Sequence, residues 1–216
     1  MKTPIWIHIS TLSTIIPFAA STFVYSRLKC FAGWRILWLF FSVAAMTEVV
    51  VYVLHTQSIQ NAWLIHFYTP IECFLLLLVL SKWQLHRRTQ LLYKTAMITY
   101  AIVYAILKLL SVESFEPDSI NFVTRPLALL LISAAACYTL NNWALTKKQL
   151  GKQPEYWVLL AILSYYLGSV ILVAFMYTKT PDLLLKLFDS HTFLNILHNI
   201  LFTIGVLMFA RQTSPK

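Results

Sequence analysis

The sequence predicts an all-α integral membrane protein, a bundle of seven transmembrane helices with the N-terminus outside and the C-terminus in the cytoplasm. Three observations predict this class. The composition is 59% hydrophobic and 12% charged, whereas a soluble globular domain carries about 25% charged residues. The 216 residues contain seven apolar stretches, each of about 20 residues, the length that crosses a bilayer. The basic residues lie mainly in the short connections, so residues 1–216 are expected to form a single transmembrane domain.

The first three predicted spans cover residues 5–25, 34–54 and 62–81. The first follows a lysine and could be mistaken for a signal peptide. It is longer than the 7–15 apolar residues of such a segment, and it contains His8, so we interpret it as a retained span. The second and third spans are joined by a polar turn at residues 55–61, which contains no Lys or Arg.

The fourth and fifth predicted spans cover residues 91–110 and 120–143. The connection between them is acidic, with Glu113 and Asp118 near its two ends. The fifth span is rich in small residues at positions 133–137. Small residues favour close helix packing in lipid, where the hydrophobic effect does not drive helix association.

The sixth and seventh predicted spans cover residues 155–177 and 191–210. Between them the segment LLLKLF is amphipathic, and we expect it to lie along the membrane interface. Asp189 or Ser190 is then expected to cap the start of the seventh helix, because short polar side chains accept hydrogen bonds from the first N–H groups of a helix.

The distribution of basic residues predicts the orientation. Twelve of the 17 Lys and Arg residues fall in the connections after spans one, three and five and at the C-terminus. The other side holds Lys2, Lys108, Arg125, Lys179 and Lys186. Because cytoplasmic loops carry the excess of Lys and Arg, the protein is expected to be a multi-pass protein of the cell inner (cytoplasmic) membrane, with its C-terminus inside.

Two carboxylates lie well inside apolar spans, Glu48 in the second and Glu72 in the third. An ionisable group at this depth costs about 2.5–3.5 kcal/mol on insertion scales and usually faces the bundle interior with a partner. In the predicted orientation, further polar groups fall in the same outer half of the bundle. The predicted ligand-binding residues are Glu48, Tyr52, Tyr68, Glu72, Arg125, Asn195, His198 and Asn199.

We hypothesise that these groups line a polar pocket open to the outside, in which Arg125 neutralises Glu48 or Glu72. Arginine suits this role because its planar guanidinium pairs well with carboxylates. The alternatives are structural. The two glutamates would then only hydrogen-bond neighbouring helices, and Arg125 would extend from its helix start to the outer surface.

The sequence contains no diagnostic catalytic motif, so an enzymatic role is uncertain and not the favoured interpretation. Nucleic-acid binding has no support, and residues 191–210 contain no lysine that could form a retinal Schiff base. The alternative metal site would use His55, His66, Glu72 and His198, because zinc needs three or four such ligands around one point. Apart from this alternative, in which zinc would be bound, no cofactor is expected.

The spacing Glu48-x6-His55, together with histidines on the last span, is loosely similar to the seven-span zinc hydrolases of the alkaline ceramidase and adiponectin-receptor superfamily. That resemblance implies metal-dependent intramembrane hydrolysis. The chain departs from the pattern: it has Leu54 beside the span-two histidine, Glu72 on span three, and Asn195 four residues after His191 in place of a second histidine.

Four phrases, FYTPIE, PEYW, LSYYLGS and NILHNILFTIG, resemble a set of small bacterial seven-span integral membrane proteins of unassigned function. The same plan looks like the membrane sensor modules of bacterial signalling proteins. The resemblance implies architecture. It is consistent with a receptor-like or sensor-like module that binds a small or lipid-like ligand.

The expected partners are the lipid bilayer, that ligand and a cytoplasmic signalling partner. A metal-dependent hydrolase and a proton-coupled carrier remain the alternative functions, the carrier because buried Glu, His and Arg side chains can relay protons.

Overall fold

The structure is a computed structural model that describes residues 5–113, 115, 121–147, 149–175 and 181–213. The described residues form α-helices and one short 3-10 turn at Leu150–Lys152, and they contain no β-strand. The all-α class is therefore confirmed. The helices are α1 (Ile5–Phe23), α2 (Tyr25–Leu28), α3 (Ala32–Thr56), α4 (Trp63–Lys82), α5 (Arg87–Leu109), α6 (Thr124–Thr146), α7 (Pro154–Phe175) and α8 (Pro181–Gln212).

Six of these helices, α3 to α8, are long and apolar enough to cross a membrane. The chain is thus a polytopic helical bundle of the membrane type. Helix α1 has 19 residues and contains Pro17, and it is not among the six. The predicted start of the fifth span at residue 120 lies outside the described residues; the helix that corresponds to it begins at Thr124.

The last helix differs from the prediction. We expected a separate interfacial segment followed by a cap at Asp189 or Ser190, but α8 runs without a break through both residues. The Ser190 hydroxyl donates back to the carbonyl of Lys186 at 2.8 Å, and the Thr192 hydroxyl donates to that of Phe188 at 3.0 Å. These hydroxyls therefore bond to the preceding turn of a continuous helix, which is the alternative to capping a new one.

Six helices form a closed ring. Going round the ring, α1 packs on α3, α3 on α4, α4 on α6, α6 on α7, α7 on α8, and α8 again on α1. Helix α5 lies outside the ring and packs on α4 and α6. Helices from distant parts of the sequence thereby share one interior.

One end of the bundle carries most of the basic residues, and we call it the basic end. Here α3, α5 and α7 begin, while α4, α6 and α8 end. The interior near this end is filled by aromatic side chains. The Trp34 ring lies 5.9 Å from that of Trp83 and 4.4 Å from that of Phe209, and Trp83 lies 6.0 Å from Trp143. Gly33 allows this packing, because a Cβ there would lie 2.5 Å from Nε1 of Trp83.

Near the opposite end, a proline inside α4 frees a backbone carbonyl. Pro70 has no N–H group, so the carbonyl of His66, four residues earlier, loses its usual helical partner. The Tyr104 hydroxyl of α5 donates to this carbonyl at 2.7 Å. In lipid every backbone polar group must find a partner within the protein, so this bond satisfies the freed carbonyl and ties α5 to α4.

Candidate functional site

An ion pair joins Glu72, at the middle of α4, to Arg125, near the start of α6 at the end of the bundle opposite the basic end. Glu72 is on α4, about 14 Å of helix rise beyond Trp63, and only 3% of its side chain is exposed. Arg125 is in the first turn of α6, and its Nη1 donates to Oε2 of Glu72. The long arginine side chain therefore brings its charge to the depth of the carboxylate. Of the two pairings predicted for Arg125, the structure contains the one with Glu72.

Three tyrosines surround this ion pair. The Tyr166 hydroxyl of α7 donates to Oε1 of Glu72 at 2.6 Å, so both carboxylate oxygens accept hydrogen bonds. Tyr68, one turn before Glu72 on α4, lies next to the same carboxylate, and Tyr165 lies next to the Arg125 guanidinium. Charge-assisted hydrogen bonds are about twice as strong as neutral ones. The carboxylate thus has partners on three helices, Tyr68 of α4, Arg125 of α6 and Tyr166 of α7.

Two histidines of α8 extend the polar cluster through Tyr165. The His191 ring lies 5.4 Å from the Tyr165 ring, and its Nε2 is 3.5 Å from the tyrosine hydroxyl. The His198 ring is buried 4.8 Å from Tyr165, and its Nδ1 donates to the carbonyl of Ala161 at 2.8 Å. His198 therefore packs behind the tyrosines, and its closest polar partner is a backbone carbonyl of α7.

The two amides of α8 that were predicted to bind the ligand, Asn195 and Asn199, face α1. Nδ2 of Asn195 donates to the Ser10 hydroxyl at 2.9 Å. Nδ2 of Asn199 donates to the hydroxyls of Ser13 at 2.9 Å and Thr14 at 3.3 Å. These contacts are interhelical hydrogen bonds of the kind that join helices in lipid.

Glu48 lies at the edge of the same region. Its carboxylate on α3 is half-buried and bonds the Thr11 side chain of α1, and it is close enough to Tyr165 to interact electrostatically. Tyr52, one turn further along α3, is 46% exposed and packs edge-on against the His8 ring at 6.3 Å. The structure thus brings Glu48 to the cluster and leaves Tyr52 on the outer surface of the bundle.

The residues of the alternative metal site are not gathered. His55 is exposed near the end of α3, Glu72 pairs with Arg125, and His198 bonds the Ala161 carbonyl. His66 is buried, and its Nδ1 lies 2.5 Å from Nζ of Lys108. Among the described residues, no three His, Cys, Asp or Glu side chains come close enough together to hold a metal ion.

A second charged network, at the end of the bundle opposite the basic end, was not predicted from the sequence. Glu113 was assigned to an acidic connection between two spans, yet it is buried, with 2% of its surface exposed. One of its oxygens accepts the N–H groups of Val123 at 2.6 Å and Thr124 at 2.9 Å. The other lies 3.8 Å from Nζ of Lys108. Glu113 thus caps the start of α6, the helix that carries Arg125.

The tyrosine partner of Glu72 also escaped the list of predicted site residues. A signal for it was present, because the Tyr165–Tyr166 pair lies at the same depth as Glu72 when α7 runs from the basic end. No comparable signal identifies Glu113, since its role depends on its contact with Val123 and Thr124, ten and eleven residues further along the chain.

Two apolar grooves flank α5, away from the ion pair. One lies between α4 and α5 and has a volume of about 550 Å³. The other lies between α5 and α6 and has a volume of about 290 Å³. Neither groove is lined by Glu72 or Arg125.

Comparisons of the chain with protein-family models, with curated proteins and with solved structures gave no match.

Proposed function

We propose that the chain crosses the membrane seven times, with α1 as the first span, the N-terminus outside and the basic end in the cytoplasm. Helix α1 supports this, because it packs on both α3 and α8 and completes the ring. Twelve basic residues at one side support the orientation. The protein would then be a multi-pass protein of a bacterial inner membrane, and its polar cluster would lie in the outer half of the bundle.

We further propose that the protein is a receptor-like or sensor-like module that binds a small or lipid-like ligand from the outside. The observation that carries this proposal is the buried Glu72–Arg125 ion pair with titratable side chains gathered around it from α3, α7 and α8. Ionisable groups inside a membrane protein are costly and usually mark a functional site. A purely structural role would need only interhelical hydrogen bonds from amide side chains, such as the bond of Asn199 that already joins α8 to α1.

The ligand would carry a hydrogen-bond acceptor such as a carbonyl, carboxylate or phosphate. Arg125 is the group best placed to bind it, because its side chain is 18% exposed while its carboxylate partner is 3% exposed. A guanidinium offers five N–H donors in a planar fork, more than Glu72 alone requires. Tyr165 and His191, which border Arg125, would provide further contacts.

Occupation of this site would change how Arg125 is shared between Glu72 and the ligand, and hence how α4, α6 and α7 pack together. The connections at the basic end would pass this change to a cytoplasmic signalling partner. A ligand can shift such an equilibrium only by its difference in affinity for the two packings.

Native mass spectrometry of the protein purified from its own membranes tests the proposal. We expect the wild-type chain to carry a bound small molecule or lipid. The fraction of chains that carry it should be lower in Arg125→Gln and in the milder Glu48→Gln variant. It should be unchanged in Lys152→Gln, an exposed control at the basic end. Glu48→Gln keeps the ion pair intact, so it separates loss of ligand from loss of fold. Equal occupancy in all four proteins would contradict the proposal.

A proton-coupled carrier is the second candidate, favoured by the buried chain of Tyr166, Glu72 and Arg125. Uptake of the bound ligand into proteoliposomes would favour the carrier function if the uptake depends on a pH gradient and is lost in Glu72→Gln. Uptake that is absent under every gradient would leave the receptor-like function.

A further inference from the structure

The groove between α4 and α5 is an open groove on the outside of the ring of helices. Its walls are Phe74 and Leu78 of α4 and a face of α5 that includes Met97, Ala101 and Ala105. The two alanines are one turn apart, and their small side chains leave room between the helices. The volume of about 550 Å³ falls in the range of clefts that bind small ligands, about 300–1,000 Å³.

The groove is about as long as one acyl layer of a bilayer. From Lys94, which lines one end, to Ala105 at the other, α5 rises by about 16 Å. The hydrocarbon core of a bilayer is about 30 Å thick. The groove therefore has the length of a single acyl layer, and its Lys94 end is the one nearer the basic end, about 10 Å of helix rise from Arg87 at the start of α5.

Basic side chains continue the two walls beyond that end. Lys82 is four residues after Leu78 on α4, and Arg87 is seven residues before Lys94 on α5, so each lies on the same helix face as the groove. Lys82, Arg87 and Lys94 are all exposed. The ion pairs formed among the described residues are Lys108–Glu113 and Arg125–Glu72, and neither involves these three.

The start of α5 adds to this positive charge. Arg87 and Arg88 occupy its first turn, which contains no acidic residue. The N-terminus of a helix already carries a partial positive charge and is stabilised by anions. An anion at this position would relieve the repulsion between the helix end and its own arginines.

We propose that the α4–α5 groove is a binding site for an anionic phospholipid of the leaflet at the basic end. One acyl chain lies in the groove against Ala101 and Ala105, and the phosphate-bearing headgroup contacts Lys94, Lys82 and Arg87. The site is separate from the Glu72–Arg125 cluster and does not depend on its function.

Native mass spectrometry of the purified chain, titrated with phosphatidylglycerol or with phosphatidylcholine of the same acyl chains, tests this inference. We expect phosphatidylglycerol to bind more tightly. Lys94→Gln should weaken phosphatidylglycerol binding about fivefold, the effect of one basic residue near an anionic headgroup, and should leave phosphatidylcholine binding unchanged. Lys152→Gln, which changes an exposed lysine outside the groove, should not affect either lipid.

A second variant tests the acyl-chain part. Ala101→Trp fills the groove and should weaken binding of both lipids without changing the far-UV circular dichroism spectrum. Inorganic phosphate at the same concentration should not displace the lipid. Equal affinity for the two lipids, equal effects of Lys94→Gln and Lys152→Gln, displacement by phosphate alone, or an effect of Ala101→Trp on dimer formation in place of lipid binding would each overturn the proposal.

Discussion

Replacing Glu72 by glutamine removes the carboxylate charge and keeps nearly the same shape. The Arg125 guanidinium then has no counter-charge at Glu72, and the Tyr166 hydroxyl donates to a neutral amide in place of an ionised oxygen. Removing one partner of a buried ion pair typically costs about 3–5 kcal/mol, because the other charge is left uncompensated. Arg125 is 18% exposed, so we expect a loss near the lower end, about 3 kcal/mol of unfolding free energy.

Two further variants separate the contributions to this loss. Tyr166→Phe removes only the hydrogen bond to the charged oxygen and should cost about 1.5–3 kcal/mol. The double variant Glu72→Gln with Arg125→Gln removes both charges and should be more stable than the sum of the two single effects predicts. A coupling energy of about 0.5–3 kcal/mol is expected for groups in direct contact. Tyr138→Phe is the matched control, since Tyr138 is 45% exposed.

The assay is unfolding of the purified protein in mixed micelles with increasing SDS, followed by far-UV circular dichroism. All variants are compared at the same protein and detergent concentrations. Strictly additive single effects, or a loss below about 0.5 kcal/mol for Glu72→Gln, the range of ordinary surface substitutions, would refute the inference that this ion pair is buried and coupled.

Three further predictions use the same unfolding assay. Glu113→Ala removes the acceptor of the Thr124 N–H and should cost about 2 kcal/mol, as the loss of a strong helix cap does; unchanged stability would contradict the cap. Asn199→Leu should cost only about 0.6 kcal/mol, the average for interhelical hydrogen bonds in lipid, and a loss several times larger would show that this amide does more than join α8 to α1. Gly205→Ala places a Cβ 3.0 Å from the carbonyl oxygen of Pro154 and should lower the free energy of unfolding by about 1–3 kcal/mol through overpacking. Gly151→Ala, whose Cβ meets nothing within 4 Å, is the control and should not lower it. Equal effects of the two variants would contradict this packing.

The helices were predictable because their signal is local. An apolar stretch of about 20 residues needs no partner to be recognised, and α3 to α7 begin and end within a few residues of the predicted spans. The start of α8 was not predictable in the same way. The segment that contains Lys186 and Asp189 is polar enough to look like an interfacial piece, and only the continuing backbone bonds show that it belongs to the same helix.

The candidate site was predictable in part. The depth of a residue along a span can be read from the sequence, but the direction in which its side chain points around the helix is harder to predict. The cost of a buried charge predicted that Glu72 needs a partner, and Arg125 lay at the right depth. His198 also lay at a suitable depth, yet it faces the Ala161 carbonyl. Glu113 was assigned to the acidic connection, and its burial was not predictable because it depends on a contact with Thr124, eleven residues further along the chain.

The central claim is that polar groups from distant helices meet beneath the outer face of the membrane, where a ligand can reach them. The most direct measurement is the labelling of single-cysteine variants in whole cells with a membrane-impermeant maleimide, after removal of the three native cysteines. We predict that His191→Cys is labelled from outside and that Phe202→Cys, which is buried against Phe40 and Phe41, is not. Labelling of His191→Cys only in inverted vesicles, or not at all in either preparation, would contradict the claim.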